Sequence, residues 1–337
     1  MTMTTARTII LLMALTMIAS TVEAQEAVPA DQGVFEYVVS PVAQPMEASA
    51  EAIRAAAAEE GWEILATVES DNHDHCDFQS MVLVLFDRDY ASVYLRANAA
   101  SAPFAAVDRV NVFEDEAGVH VAIVNPHSIV RTVMMNDGGY VSFIERHRQK
   151  LRSMIVGAVA GQESHRQYGQ VRDRGYIGRT MGIMAGGRFD GKIEDVMLVR
   201  EPFESLADRV ESALQLAGPR WGTTLKYRLD LPEHRTVLFG TTGTPLDSQS
   251  FEIVGAGGDS ARDEYACPGL AHAGAYPIEV VVVETDQGTA VRMVDSMYRM
   301  KMYFEDAGKL AFMKNMTMPG SIAGEIKDKL VSIATPH

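Results

Sequence analysis

The sequence predicts an α+β fold built from two tandem β-α-β(sheet)-α units, each with a mainly antiparallel sheet and its helices packed on one face. Three observations carry this expectation. The segment from Val112 to Gly138 aligns without a gap on Val282 to Gly308 at a constant offset of 170 residues. An amphipathic helix pattern followed by a tryptophan, Trp62 or Trp221, stands upstream of each copy, and each copy closes on a further helical pattern.

In chain order, residues 1–24 come first: Arg7, then the apolar run TIILLMALTMIAS, then Val22-Glu23-Ala24 before Gln25. A charged start, a short apolar stretch and a small-residue site read as a secretory signal peptide cleaved near Ala24, and the stretch is shorter than the ~20 residues a spanning helix needs. The expectation is a periplasmic or secreted protein with no stable membrane span after cleavage. The first unit is expected over residues 25–160, a linker with local structure over 161–191, and the second unit over 192–337.

Each unit opens on a strand, VFEYVV from Val34 and DVMLV from Asp195. In the second unit Phe203, Leu206, Ala207, Val210, Ala213, Leu214 and Ala217 share one helical face between Pro202 and Gly218-Pro219, and in the first Met46, Ala50, Ile53 and Ala57 do so before Gly61. The apolar runs MVLVLF from Met81 and TVLFG from Thr236 read as strands. In the aligned segments an apolar strand enters an acidic turn ending in Gly118 or Gly288, and an alternating strand leaves it, which is a hairpin pattern. The closing helices are marked by Ile144, Leu151, Ile155 and Ala158 and by Ile322, Ile326, Leu330 and Ile333.

With 30 Lys+Arg against 45 Asp+Glu, the net charge of −15 argues against nucleic acid as a partner, because displacing counterions from a phosphate backbone requires concentrated cations. Gly186-Gly187-Arg188-Phe189-Asp190-Gly191-Lys192 has phosphate-loop spacing, but Ile193 stands where a Ser or Thr must reach magnesium and a strand pattern follows. FEIVGAGGDS from Phe251 lacks the third glycine of a dinucleotide loop.

The order of amphipathic helix, Gly-Trp, strand, TVLFGTTGTPLDS and AYPIEVVVVETDQG resembles the family known as domain of unknown function 302. The similarity is strongest over Asp195 to Ala334, at Leu238-Phe239-Gly240, Gly243-Thr244-Pro245 and Pro277, while the first unit carries LFDRDYASVY where the family has a glycine-bearing turn. The resemblance implies a TATA-binding-protein-like α+β fold and paired domains, and no activity.

Two clusters suggest metal chemistry. Asp71, His73, Asp74, His75, Cys76 and Asp77 crowd one polar stretch, where His73, His75 and Cys76 offer imidazole and thiolate to zinc or copper; the alternative is a solvated acidic turn. Met300/Met302 and Met316/Met318 place thioethers at i and i+2, suited to Cu(I), against the alternative of adaptable packing in an apolar groove. Cys76 and Cys267 leave one disulfide open, Cys267 and His272 a thiol–imidazole pair, and HRQKLR from His147 reads as a solvated face. No cofactor is firmly implied. Three readings follow: a non-enzymatic protein whose paired units bind a small apolar ligand or a protein partner in a methionine-lined groove, a soft-metal (zinc or copper) protein, and a thiol-dependent enzyme. A homo-oligomer is compatible with each.

Overall fold

A computed structural model describes residues 32–71, 79–135, 139–172, 176–177, 186–244, 246, 249–250, 271–304 and 309–334. The chain runs β1 (Gln32–Val42), α1 (Met46–Glu59), β2 (Glu63–Asp71), β3 (Gln79–Phe86), α2 (Arg88–Ala97), β4 (Asp108–Asp115), β5 (Gly118–Val124), α3 (Pro126–Met134) and α4 (Val141–Ala158). Four short strands follow, β6 (Gly161–Glu163), β7 (Gln167–Arg172), β8 (Tyr176–Ile177) and β9 (Gly187–Arg188). The second half comprises β10 (Ile193–Val199), α5 (Phe203–Gln215), β11 (Thr224–Leu231), β12 (Thr236–Thr242), β13 (Ile278–Thr285), β14 (Gly288–Val294), α6 (Ser296–Phe304), α7 (Lys309–Lys314) and α8 (Met318–Ser332).

Both halves have one topology. The first sheet has strand order β2-β3-β4-β5-β1, the second β11-β12-β13-β14-β10, and every pairing in them is antiparallel. The hairpins fall at the expected turns, with Gly118 at φ +116° and Gly288 at φ +141°, backbone that glycine adopts without strain. The region 161–191 is more than a connection: β6 and β7 both pair with β1, and Phe189 is fully buried.

Alternation along the strands decides what each face covers. In the first sheet Leu83, Leu85, Val110, Val112 and Val121 pack under α1 and α4 with Ile53, Leu151 and Ile155, while Val82, Val84, Phe86 and Phe113 belong to a core shared with the second unit. The short turn Ala102–Ala105 of the first unit packs on β12 and β13, and its counterpart His272–Ala275 packs on β3, β4 and β5. Because each unit's turn packs on the other's sheet, and the matching positions Arg109 and Glu279 meet, the two units are related by an approximate twofold. Among the described residues no helix is long and apolar enough to cross a membrane.

The expected helix faces are buried as spaced, except that α5 ends at Gln215, so Ala217 lies past the helix and is exposed. Met46, Ala50, Ile53 and Ala57 of α1 and Phe203, Leu206, Ala207, Val210, Ala213 and Leu214 of α5 all lie inside. HRQKLR, by contrast, is not a solvated face. His147 and Arg152 are buried, with Arg152 Nη1 donating to Glu36 Oε1 at 2.6 Å and Arg148 Nε and Nη2 both donating to the Glu36 carboxylate at 2.8 Å. The carboxylate that Arg148 and Arg152 share, Glu36, comes from β1.

Glu325 on α8 ties down the Trp221 loop. It accepts from the backbone N–H groups of Arg220, Trp221 and Thr223 at 2.8, 2.7 and 3.1 Å and from the Thr223 hydroxyl at 2.6 Å. A Cβ at Gly218 would collide with this carboxylate. Burial alone would raise the Glu325 pKa, but the Thr223 hydroxyl and the three N–H donors outweigh it and hold it below the ordinary 4.5. Because the folded value is depressed, the stability Glu325 confers is complete above pH 4.5 and is lost as pH falls through the folded value. Glu325→Gln is expected to cost about 2–3 kcal/mol at pH 7, and the difference from the parent in urea midpoint should shrink at pH 3. A difference independent of pH would contradict this role.

Candidate functional site

A wide opening lies in the second unit, where α6 and α8 meet the helix-facing end of β13 and β14. It encloses about 750 Å³ of non-atom space, its mouth included. Ile278, Met293, Met300, Phe304, Met318 and Ile322 form its apolar wall. Its polar groups are few: Arg299, Asn315, Ser296 and a Ser250–Tyr276 pair whose oxygens lie 2.5 Å apart. Ser250 also donates to the Leu246 carbonyl at 2.8 Å. A concave, mainly apolar space with a few polar groups at fixed positions is the usual form of a small-molecule site.

The matching place in the first unit is narrower: Asp108, Val124, Pro126, Ile129 and Val130, which bound it, stand 170 residues before Ile278, Val294, Ser296, Arg299 and Met300. The constant offset matches Ile278 with Asp108, and pairing Leu151 with Ile326 and Ile155 with Leu330 puts His147 where Ile322 stands. His147 Nε2 lies 2.8 Å from Asp108 Oδ2, the Trp62 indole N–H donates to the same oxygen at 3.1 Å, and Tyr90 from α2 stacks on His147 with centroids 3.4 Å apart. Lys150 Nζ donates to Asp87 Oδ2 at 2.9 Å and lies 3.8 Å from the Trp62 ring centroid. Burial pushes the Tyr90 hydroxyl well above its ordinary pKa, with the carboxylates of Asp108 and Asp87 adding to the effect. The space left beside this cluster is about 320 Å³, bounded by Tyr90, Asp108 and Arg109 and by Tyr303 of the other unit.

Between the sheets lies a cluster of three buried charges. Arg109 of β4 and Glu279 of β13 occupy matching positions, 170 residues apart, and form an ion pair across the approximate twofold. Arg109 Nη1 also donates to the Tyr303 hydroxyl at 3.0 Å. Arg299 of α6 donates through Nε to Glu279 Oε2 at 2.8 Å and through Nη2 to the carbonyls of Ala275 and Pro277 at 2.5 and 3.0 Å. Burial lowers the Arg299 pKa from its ordinary value, opposed by the surrounding tyrosines Tyr303, Tyr276 and Tyr227.

His73, His75, Cys76 and Cys267 lie outside the described residues, as do residues 1–24. Among the described residues no three His, Cys, Asp or Glu side chains gather as metal ligands. The methionine pairs do not converge as pairs. Met300 and Met302 sit on α6, where residues two apart point to different sides of a helix; Met300 reaches the cavity and Met302 is buried in the core. Met316 is exposed in the turn before α8, and Met318 joins Met293 and Met300 at the cavity wall. Sequence reasoning thus singled out the methionines but missed the Arg109–Glu279–Arg299 cluster. Its signal was a charge at the same repeat position of two strand runs, Arg109 in DRVNVF and Glu279 in IEVVVV.

One further constellation has hydrolase-like components. Ser40 Oγ lies 2.8 Å from His120 Nδ1, and His120 Nε2 lies 2.9 Å from Asp115 Oδ1. Nucleophilic catalysis also requires an opening for substrate and donors placed for an oxyanion. None of these three residues lines either cavity, and the chain they form ties β1 to the β4–β5 hairpin.

No family model matches the chain, and no curated protein does. Among solved structures, the chain is similar to the crystal structure of an uncharacterized conserved protein, DUF302, from Bacillus stearothermophilus, at 15% identity and a TM-score of 0.32 over 37% of this chain and 98% of that one.

Proposed function

We propose that the protein is an exported, non-enzymatic binding protein that holds one small, mainly apolar molecule in the cavity of its second unit. The observation that carries this reading is the contrast between matching places in the two units: the first unit's is narrowed by the Tyr90–His147 stack and bordered by the Asp108 carboxylate, and the second unit's is wider and walled by methionines and aromatic carbon. Met293, Met300 and Met318 suit a ligand wall because unbranched, polarisable side chains adapt to a range of apolar shapes.

The test uses a neutral apolar fluorophore, N-phenyl-1-naphthylamine, titrated into the full chain. The parent protein is expected to bind it saturably. Met300→Trp, which fills the cavity from α6, is expected to weaken binding at least tenfold while leaving the thermal midpoint within a few degrees of the parent. Unchanged affinity in the Trp variant would contradict the assignment of this cavity.

A further inference from the structure

The charges behind the cavity do not balance. Arg109, Glu279 and Arg299 are all at least nine-tenths buried and in mutual contact, two guanidinium groups around one carboxylate. Other polar partners of the two arginines are neutral, namely the Gly274, Ala275 and Pro277 carbonyls and the Tyr303 hydroxyl. Among the described residues the cluster therefore carries one positive charge in excess, and a buried charge without a counter-charge is costly.

The excess has an outlet. Arg299 uses Nε and Nη2 for the bonds described above, and among the described residues Nη1 has no hydrogen-bond partner. That nitrogen is not among the solvent-shielded atoms left without a partner, and Arg299 is part of the cavity wall. A donor of fixed position and full positive charge thus borders an apolar chamber, beside the Tyr276–Ser250 hydroxyl pair. Guanidinium groups pair with carboxylates in short, charge-assisted bonds about twice as strong as neutral ones.

We infer that the cavity takes an anionic amphiphile, a molecule with one carboxylate-like head directed at Arg299 and an apolar body lying against Met293, Met300, Met318 and Phe304. The head neutralises the buried excess charge, and the body displaces water from the methionine wall. This rests on the assignment of the cavity as a ligand site and adds the charge and orientation of what it binds.

Matched ten-carbon probes separate the two claims. Decanoate, decan-1-ol and decylammonium are titrated at pH 8 into the full chain by displacement of N-phenyl-1-naphthylamine. Decanoate is expected to bind at least tenfold tighter than decan-1-ol, with decylammonium weakest. In Arg299→Gln the preference for decanoate over decan-1-ol is expected to fall to within twofold. Equal binding of decanoate and decan-1-ol by the parent would overturn the inference and leave the cavity standing as an apolar site. A preference that persists in Arg299→Gln would overturn the role of Arg299. Displacement by none of the three would remove the cavity assignment and the inference together. The parent series decides the charge preference by itself if the Gln variant does not fold.

Discussion

Glu279→Gln is expected to lower the stability of the fold by about 3–5 kcal/mol, the cost of leaving buried charge without its partner. The change removes the single carboxylate that holds both Arg109 and Arg299, so two guanidinium groups then face each other out of water. Arg109→Met should cost less, about 1–3 kcal/mol. It leaves a balanced Glu279–Arg299 pair and only strands the Gly274 carbonyl and Tyr303 hydroxyl that Arg109 had served. Urea midpoints at neutral pH measure both, and equal or reversed costs would contradict the account of the cluster as two cations around one anion.

The same pair bears on how the two halves recognise one another. Arg109 and Glu279 stand at matching positions and meet near the approximate twofold. Two copies of the first unit docked in this way would set Arg109 against Arg109, and two copies of the second would oppose Glu279 with itself. Like charges so placed cost several kcal/mol. Divergence of the repeats at this position therefore favours the first unit packing on the second over either packing on its own kind.

Tyr90→Ala is expected to cost about 3–5 kcal/mol, the range for truncating a large aromatic in a packed core. The Tyr90 ring stacks on His147 at 3.4 Å and on Phe143 at 5.2 Å, and meets Tyr94 edge-on at 5.0 Å. It also anchors the start of α2, where its N–H is accepted by the Asp87 side chain at 3.0 Å. The truncated protein should not gain a second apolar site, because the floor of the vacated space is the polar Asp108–His147–Trp62 group rather than Ile278 and Ile322. Chemical denaturation checks the first expectation and fluorophore stoichiometry the second; a cost under about 1 kcal/mol would show that the stack is not a packed core element.

The helices α1, α4, α5 and α8 and the two hairpins were legible in the sequence because local periodicity records them, whereas α2, α3, α6 and α7 were not read. Phe203, Leu206, Val210 and Leu214 are spaced by the helical turn itself, and Gly118 and Gly288 sit where the hairpin backbone turns left-handed. Tertiary pairing leaves no such local record. Arg148 and Arg152 look solvated within HRQKLR because their counter-charge, Glu36, lies 112 and 116 residues away. The strands β6 and β7 were hidden in a Gly- and Arg-rich stretch with little alternation, since their pairing is dictated by the open edge of β1. For the site, composition pointed to the methionines of the last third of the chain, but not to their grouping. The extended spacing assumed for Met300 and Met302 does not apply on a helix, and the residues that meet, Met293, Met300 and Met318, come from three different elements.

Native mass spectrometry of the full chain with N-phenyl-1-naphthylamine tests most directly the claim that, of two matching places in a duplicated fold, the wider, methionine-walled one is the ligand site. The account predicts one fluorophore retained per chain and none in Met300→Trp. Two per chain, as equivalent units would give, or retention that is unaffected by the tryptophan, would contradict it.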